Sequence, residues 1–378
     1  MESRWQNYFL KKGEEFHLFW KSYLKNQKKL LFILGQGFDP RMCLGPEAIL
    51  KIDEKGVRDF IIIEFKEGDN SPSRDYKNEV MVNLQTLNDL INGKGTQKTI
   101  TIDMETADGH KVGARYAADI FTNLADFDKY TDIIVDITAL PFNIYFPLIG
   151  KILFILDSAK STGQKDKIPN LHVLVTENAV IDKSIKKSGL DDDAQHLHGF
   201  TGGLEVSSRE EIPTIWMPIL GESQKEQIEL IDTFITPAEI CPVLPSPSTN
   251  PRRGDELVLE YRDLLMNRLA VESRNIIYAD EQNPFEVYRQ ILRTVYHYRD
   301  ALRPLGGCKV AISSLSSKLM SMGAFLVAYE EGISKKQNVG MVYVESKGYS
   351  MKKTATNGST LANSDLFTLW ISGECYES

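Results

Sequence analysis

The residues best suited to chemistry in this chain follow short apolar stretches. Val310-Ala311-Ile312 runs into Ser313-Ser314-Leu315-Ser316-Ser317-Lys318 and then into the apolar Leu319-Met320-Ser321-Met322-Gly323. This reads as a strand, a hydroxyl-rich loop and the start of a helix. A helix N-terminus exposes unpaired N–H groups at the positive end of the dipole, which suits an anion. Ser313, Ser314, Ser316, Ser317 and Lys318 add donors and a charge, although a helix cap alone needs only one of the serines.

Other loops carry comparable chemistry. Gly35-Gln36-Gly37-Phe38-Asp39-Pro40-Arg41 follows the apolar run 29–34. Its two glycines allow close backbone approach to a ligand. A third glycine is missing where the dinucleotide fingerprint needs it, since Pro40 stands there. Asp39 and Arg41 either face a ligand or pair within a turn. Gly221-Glu222-Ser223 ends another strand, and Ser223 joins the candidate binding residues.

Arg252 and Arg253 stand near the start of a helix, where adjacent cations oppose the dipole unless an anion faces them. A ligand phosphate would answer that need, as would an internal carboxylate such as Asp255 or Glu256. Asp136, inside an apolar strand just before Thr138, must have partners or a function. Asp136 and Glu64 are therefore the candidate general bases, with backbone N–H groups as the structural alternative for Asp136. Asp280 and Glu281 can serve as acid, base or metal ligand, or simply precede the helix opened by Asn283-Pro284.

These loops need a scaffold, and the apolar pattern supplies one. Stretches 29–34, 59–65, 98–104, 131–137 and 170–177 read as strands, with helices over 76–93, 113–127 and from about 141 to 158. Strands alternating with helices in this way predict an α/β fold with a mainly parallel sheet. The alternation then restarts, with strands at 214–220, 240–244, 275–279, 310–312 and 338–344, and a closing edge strand at 366–372.

The two series correspond in order. Ile33-Leu34-Gly35 matches Ile219-Leu220-Gly221, Ile137-Thr138-Ala139-Leu140 matches Ile312-Ser313-Ser314-Leu315, and the offset between partners stays between 168 and 186. We read two Rossmann-like domains, pseudo-duplicated, at residues 29–180 and 213–378. They are preceded by an N-terminal helical segment, 1–28, and separated by a polar connector, 181–212. In the N-terminal segment, Trp5, Phe9, Phe16, Phe19, Trp20 and Leu24 recur at mostly three- and four-residue steps, so one or two amphipathic helices are expected there. Loops 35–41, 138–141, 221–225, 245–255 and 313–318 would lie at the carboxyl ends of strands and could converge on one shared cleft.

Composition narrows the function. A chain of 378 residues with net charge −8 is no whole-protein nucleic-acid or anionic-membrane binder, though a local basic site is compatible with it. Direct nucleic-acid binding is not favoured. The absence of an apolar leader and of an apolar run near 20 residues predicts no membrane span. The four cysteines form no C-x-x-C and read as buried thiols in a cytoplasmic protein. His196 and His198 beside Asp191-Asp192-Asp193 lack a second ligand pair, so no metal is assigned. No cofactor is indicated, and P-loop, G-x-S-x-G and H-E-x-x-H motifs are missing.

In topology over most of residues 29–350, the chain resembles the CARF and SAVED sensor domains of bacterial defence. The positions that carry the likeness are 35–41, 138–141, 221–223 and 313–318, the last resembling the hydroxyl-and-lysine strand-to-helix loop of CARF proteins. The resemblance implies two fused Rossmann folds that bind cyclic oligonucleotide messengers through loops after the first and fourth core strands. It departs from that pattern in lacking a clear fused nuclease, protease or membrane effector. The leading expectation is a cytosolic nucleotide or nucleotide-messenger binding protein, a sensor component of antiviral defence. The alternatives are an enzyme cleaving a nucleotide or glycosidic bond with Asp136 or Glu64 as base, and a structural subunit of a larger defence complex. In the last case the N-terminal aromatic helices would dock a protein partner.

Overall fold

The structure is a computed structural model. It describes residues 3–26, 28–52, 56–68, 71–163, 168–205, 212–351 and 358–376. In chain order the strands are β1 (Phe9–Lys12), β2 (Leu30–Gly35), β3 (Arg58–Lys66), β4 (Gln97–Asp103), β5 (Asp132–Asp136), β6 (Asn170–Glu177), β7 (Ile185–Lys187), β8 (Leu190–His196), β9 (Thr214–Ile219), β10 (Glu239–Ile240), β11 (Val243–Pro245), β12 (Ile277–Ala279), β13 (Lys309–Ser314), β14 (Val339–Ser346), β15 (Tyr349–Met351) and β16 (Asp365–Ser372). The fold is α/β, with two Rossmann-like units, each built on a mainly parallel seven-stranded sheet.

One unit comprises Asn7–Gly189 with Lys347–Ser378 and is called the N unit here. Its sheet runs β1-β16-β6-β5-β2-β3-β4. The strands from β6 to β4 are parallel, while β16 and β1 are antiparallel additions. Every residue of β2, Leu-Leu-Phe-Ile-Leu-Gly, is buried. Such a continuous apolar run is what a central parallel strand covered on both faces requires.

The helix Phe142–Ser161 lies in this unit. By length and composition it could cross a membrane, yet 72% of its apolar window is buried inside the protein. It is the one such helix among the described residues; a helix from about 141 to 158 was expected, its span-like length and apolarity were not. Pro147 sits inside it and Ile144, Phe146, Leu148, Ile149, Ile152 and Leu153 are all buried. This is the pattern of a core helix that is apolar on most sides.

The C unit comprises Met1–Gln6 and Leu190–Ser346. Its sheet runs β12-β11-β9-β13-β14-β8, with β10 also paired to β9. All pairs are parallel except β14 with β8. Asn283 caps the long helix Pro284–Ala301, accepting from the N–H groups of Phe285 and Glu286, with Pro284 in the first turn where its missing N–H costs nothing.

The expected domain boundaries need correction in three places. The closing strand, β16, does not extend the second sheet; it pairs with β6 along nearly its whole length in the N unit. The stretch expected as a connector carries the helix Ala179–Ser184, β7 and β8, and β8 belongs to the C-unit sheet. Residues 206–211 of that stretch lie outside the described residues. The N-terminal segment is not wholly helical, because β1 precedes the helix Glu14–Tyr23 and pairs with β16.

Phe16, Trp20 and Leu24 are buried in one cluster with Leu30, Phe32 and Leu34. Their apolar surface is already removed from water inside the chain, which leaves these three nothing to offer an outside partner. They are core, as an aromatic stripe usually is.

Candidate functional site

In the C unit the first five Rossmann strands lie in the order β12-β11-β9-β13-β14, which is 3-2-1-4-5 in chain order. The chain leaves β9 toward one side and returns to β13 on the other. Open α/β sheets bind ligands at such a reversal, outside the carboxyl ends of the two strands. Here the loops after β9 and β13 touch: a β-carbon on Gly221 would collide with the carbonyl oxygen of Leu315. Only glycine allows that approach.

The serines of the β13 loop divide into two groups. Ser313 is buried and its hydroxyl accepts from the indole Nε1 of Trp216 at 3.0 Å. Ser314 is buried and donates to the hydroxyl of Ser321 at 2.5 Å, which in turn donates to the Ser317 carbonyl at 2.7 Å. Both are internal struts, which removes them from the expected ligand-binding set. Ser316 and Ser317 are half-buried at the rim. Ser317 caps the helix, accepting from the N–H of Met320 at 3.3 Å, and Lys318 is the first helical residue.

Across the reversal, Ser223 is exposed and adopts φ 61°. Its N–H donates to Glu260 at 2.7 Å, while Tyr261 donates to the Gly221 carbonyl at 2.5 Å and accepts from the N–H of Gln224 at 2.8 Å. The loop is therefore fastened to the end of the helix Arg253–Glu260.

The two arginines have different fates. Arg252 is exposed, with its N–H donating to Asn250 at 3.1 Å. Arg253 is committed internally: it pairs with Glu222 at 2.9 Å and with Glu281. Ser248 donates to the same Glu281 carboxylate. The carboxylates facing Arg253 are thus Glu222 and Glu281 rather than Asp255 or Glu256. Glu256 instead accepts from the Asn250 amide at 3.0 Å.

The N unit repeats the 3-2-1-4-5 order as β4-β3-β2-β5-β6 and repeats the glycine contact. A β-carbon on Gly35 would lie 2.7 Å from the Leu140 side chain and 2.9 Å from the Ala139 carbonyl oxygen. The Asn83 amide donates to the Gly37 and Asp39 carbonyls at 2.9 Å each, which fixes the loop.

The polar groups here are turned inward. Arg41, 2% exposed, grips Asp39 through Nε at 3.0 Å and Nη2 at 2.8 Å, and reaches Asp182 at 2.8 Å and the Thr176 carbonyl at 3.2 Å. Burial disfavours the charge, yet Asp39 and Asp182 hold the guanidinium above its ordinary pKa. Asp39 and Arg41 are therefore an internal bidentate pair, not a pair facing a ligand.

Thr138 is buried and accepts from the N–H of Thr176 at 3.0 Å. Asp136 is 1% exposed and accepts from the N–H of Thr138 at 2.9 Å. A β-carbon on Gly45 would collide with its other oxygen. A carboxylate sealed in this way orients the loop, and it has no open approach for a substrate proton. Glu64 lies within β3 and accepts from the Thr101 hydroxyl on β4 at 2.8 Å, a cross-strand bond.

Sequence reasoning missed two buried polar clusters. In the C unit, Glu331 accepts from Tyr296 at 2.9 Å and pairs with Lys335 at 2.8 Å and Arg299 at 2.9 Å. Burial opposes its charge, but those partners hold its carboxyl below the usual range. Neighbouring Glu330 pairs with Lys335 at 2.7 Å and accepts from the hydroxyl of Tyr288. The signal was two adjacent acids ending a helix that is otherwise apolar on every side.

In the N unit, Asp132 receives Tyr23 at 2.5 Å and meets His172 Nε2 at 3.2 Å. Trp20, Tyr23 and Trp370 surround the histidine ring. His196, weighed earlier as a metal ligand, stacks edge-on against Phe234 at 5.2 Å, and burial lowers its pKa. Among the described residues no group of three or more His, Cys, Asp or Glu stands together to hold a metal.

No family model matches the chain, and no curated protein matches it in sequence. Among solved structures, a protein of unknown function from Pseudomonas aeruginosa PAO1 aligns at 10% identity over 82% of this chain and 91% of that one, with a TM-score of 0.21. So slight a likeness carries no argument.

Proposed function

We propose that the C unit binds a nucleotide or nucleotide-derived messenger at the carboxyl edge between β9 and β13. In this reading the protein acts in the cytosol as a sensor component of bacterial antiviral defence. The observation that supports it most is the touching of the two loops at Gly221 and Leu315, where the strand order reverses. Ser223, Ser316, Ser317, Lys318 and Arg252 then supply hydroxyls and cations on that rim, in the residue types that hold phosphate. The N unit has the same crevice with different chemistry. Its fourth-strand helix starts at Phe142 after Pro141, and its Asp39, Arg41, Asp136 and Thr138 bond one another, Asp182 or nearby backbone.

Calorimetry with ATP, NAD and cyclic oligonucleotides tests the proposal. At least one should bind wild type, at one site per chain, and bind Lys318→Ala/Arg252→Ala at least about tenfold more weakly. Unchanged affinity in the folded double variant would sink the assignment. Mass spectrometry of the incubated nucleotides separates binding from turnover, and cleavage products would favour the enzyme reading.

A further inference from the structure

Residues 3–6 belong to the C unit, while Asn7–Gly189 belong to the N unit. Within the C unit they fill a socket made by the helix Pro284–Ala301 and the helical stretch that starts at Lys318. Trp5 is fully buried, 5.6 Å edge-on from Tyr288 and 6.4 Å from Tyr329. The Arg4 guanidinium lies 4.8 Å from the centre of the Trp5 ring and 5.6 Å from that of Tyr329. Main-chain bonds complete the seat. The Arg4 N–H donates to Glu330 at 3.2 Å, Arg289 donates to the Gln6 carbonyl, and Gln6 N–H closes a turn on the Ser3 carbonyl at 3.1 Å.

This is how a peptide ligand is held: one indole anchor, a neighbouring cation, and backbone groups read by a carboxylate and an arginine. The floor of the socket also has contacts of its own. Gly323 packs so tightly on Val287 that a β-carbon would collide with it, and Glu330 has Lys335 and Tyr288 as partners besides Arg4.

We infer that residues 3–6 form a displaceable strap and that its socket is a binding site for a short peptide segment carrying Arg-Trp. The inference does not depend on the proposed nucleotide site.

The test uses the full-length Trp5→Ala variant and a synthetic peptide of residues 1–8. The peptide should bind the variant and raise its melting temperature, bind wild type at least about tenfold more weakly because the socket is filled, and lose binding when its own tryptophan is alanine. A folded variant that ignores the peptide, or equal binding to variant and wild type, overturns the inference. If Trp5→Ala does not fold, Arg289→Ala with hydrogen exchange decides the matter. The amides of residues 4–6 should then exchange faster than those inside Pro284–Ala301, and equal exchange would show that the segment opens only with the whole unit.

Discussion

Gly221 and Leu315 are in backbone contact, so close that a β-carbon on the glycine would strike the leucine carbonyl oxygen. Gly35 and Leu140 stand in the corresponding places of the other unit, where the glycine is crowded by the leucine side chain rather than by its carbonyl. These four residues are the ones the internal correspondence pairs, Gly35 with Gly221 and Leu140 with Leu315. The repeated residues thus occupy the first-strand end and the fourth-strand loop of each sheet, where two backbones must meet.

Replacing Gly221 by alanine should push the β9 and β13 loops apart. The cost should be about 1–3 kcal/mol, the range for forcing an extra methyl into a packed site. Urea denaturation measures it, and calorimetry should show the proposed ligand binding lost together with stability. A change below about 0.5 kcal/mol, typical of surface positions, would show that the loops do not bear on each other.

Arg41→Ala should be far more costly. It leaves Asp39 buried without its bidentate partner, and breaking a buried pair from one side costs about 3–5 kcal/mol. Arg41→Lys should recover only part of the loss, because an ammonium cannot span both Asp39 oxygens as the guanidinium fork does. Equal stability of the lysine variant and wild type would contradict the fork.

A double-mutant cycle examines Arg253 and Glu281. Because the two are partners in a shared network with Glu222 and Ser248, the single losses should not add. The coupling should fall in the range of about 0.5–3 kcal/mol. Additive losses would return Arg253 to the pool of side chains that can serve a ligand.

Acid should find the C unit through Glu331. Its folded carboxyl lies below the ordinary value of 4.5, so the charged network stabilises the fold fully above that pH. The contribution fades as pH falls through the lower folded value. Glu331→Gln should reduce stability at pH 7 and shrink the loss of stability between pH 7 and pH 3 relative to wild type. Parallel pH–stability curves for the two proteins would refute the linkage.

Much of the architecture could be read from the chain because it is local. Asn170–Glu177 is found as a strand at the expected bounds, and Ser317 stands at the helix start where a hydroxyl belongs. What could not be read depends on distant partners. The alternation in Asp365–Ser372 looks the same whichever sheet receives it, and only the pairing with β6 settles the matter. Arg253 faces Glu222 and Glu281, 31 and 28 positions away, while Asp255 and Glu256 were near in sequence and therefore conspicuous. The fate of Ser313 turns on Trp216, 97 residues earlier. Residue type predicts which groups can bind an anion, but not whether the fold has already used them.

The exchange of outer strands has a consequence for synthesis. The strand between β6 and β1 is β16, which follows every strand of the C-unit sheet in the chain. Until it emerges, nascent β6 offers an open, apolar edge, and β1, made well before it, has no place to pair. The C-unit sheet can assemble earlier, since β8 is made before β14. The half whose core is translated first is therefore the half whose sheet is completed last.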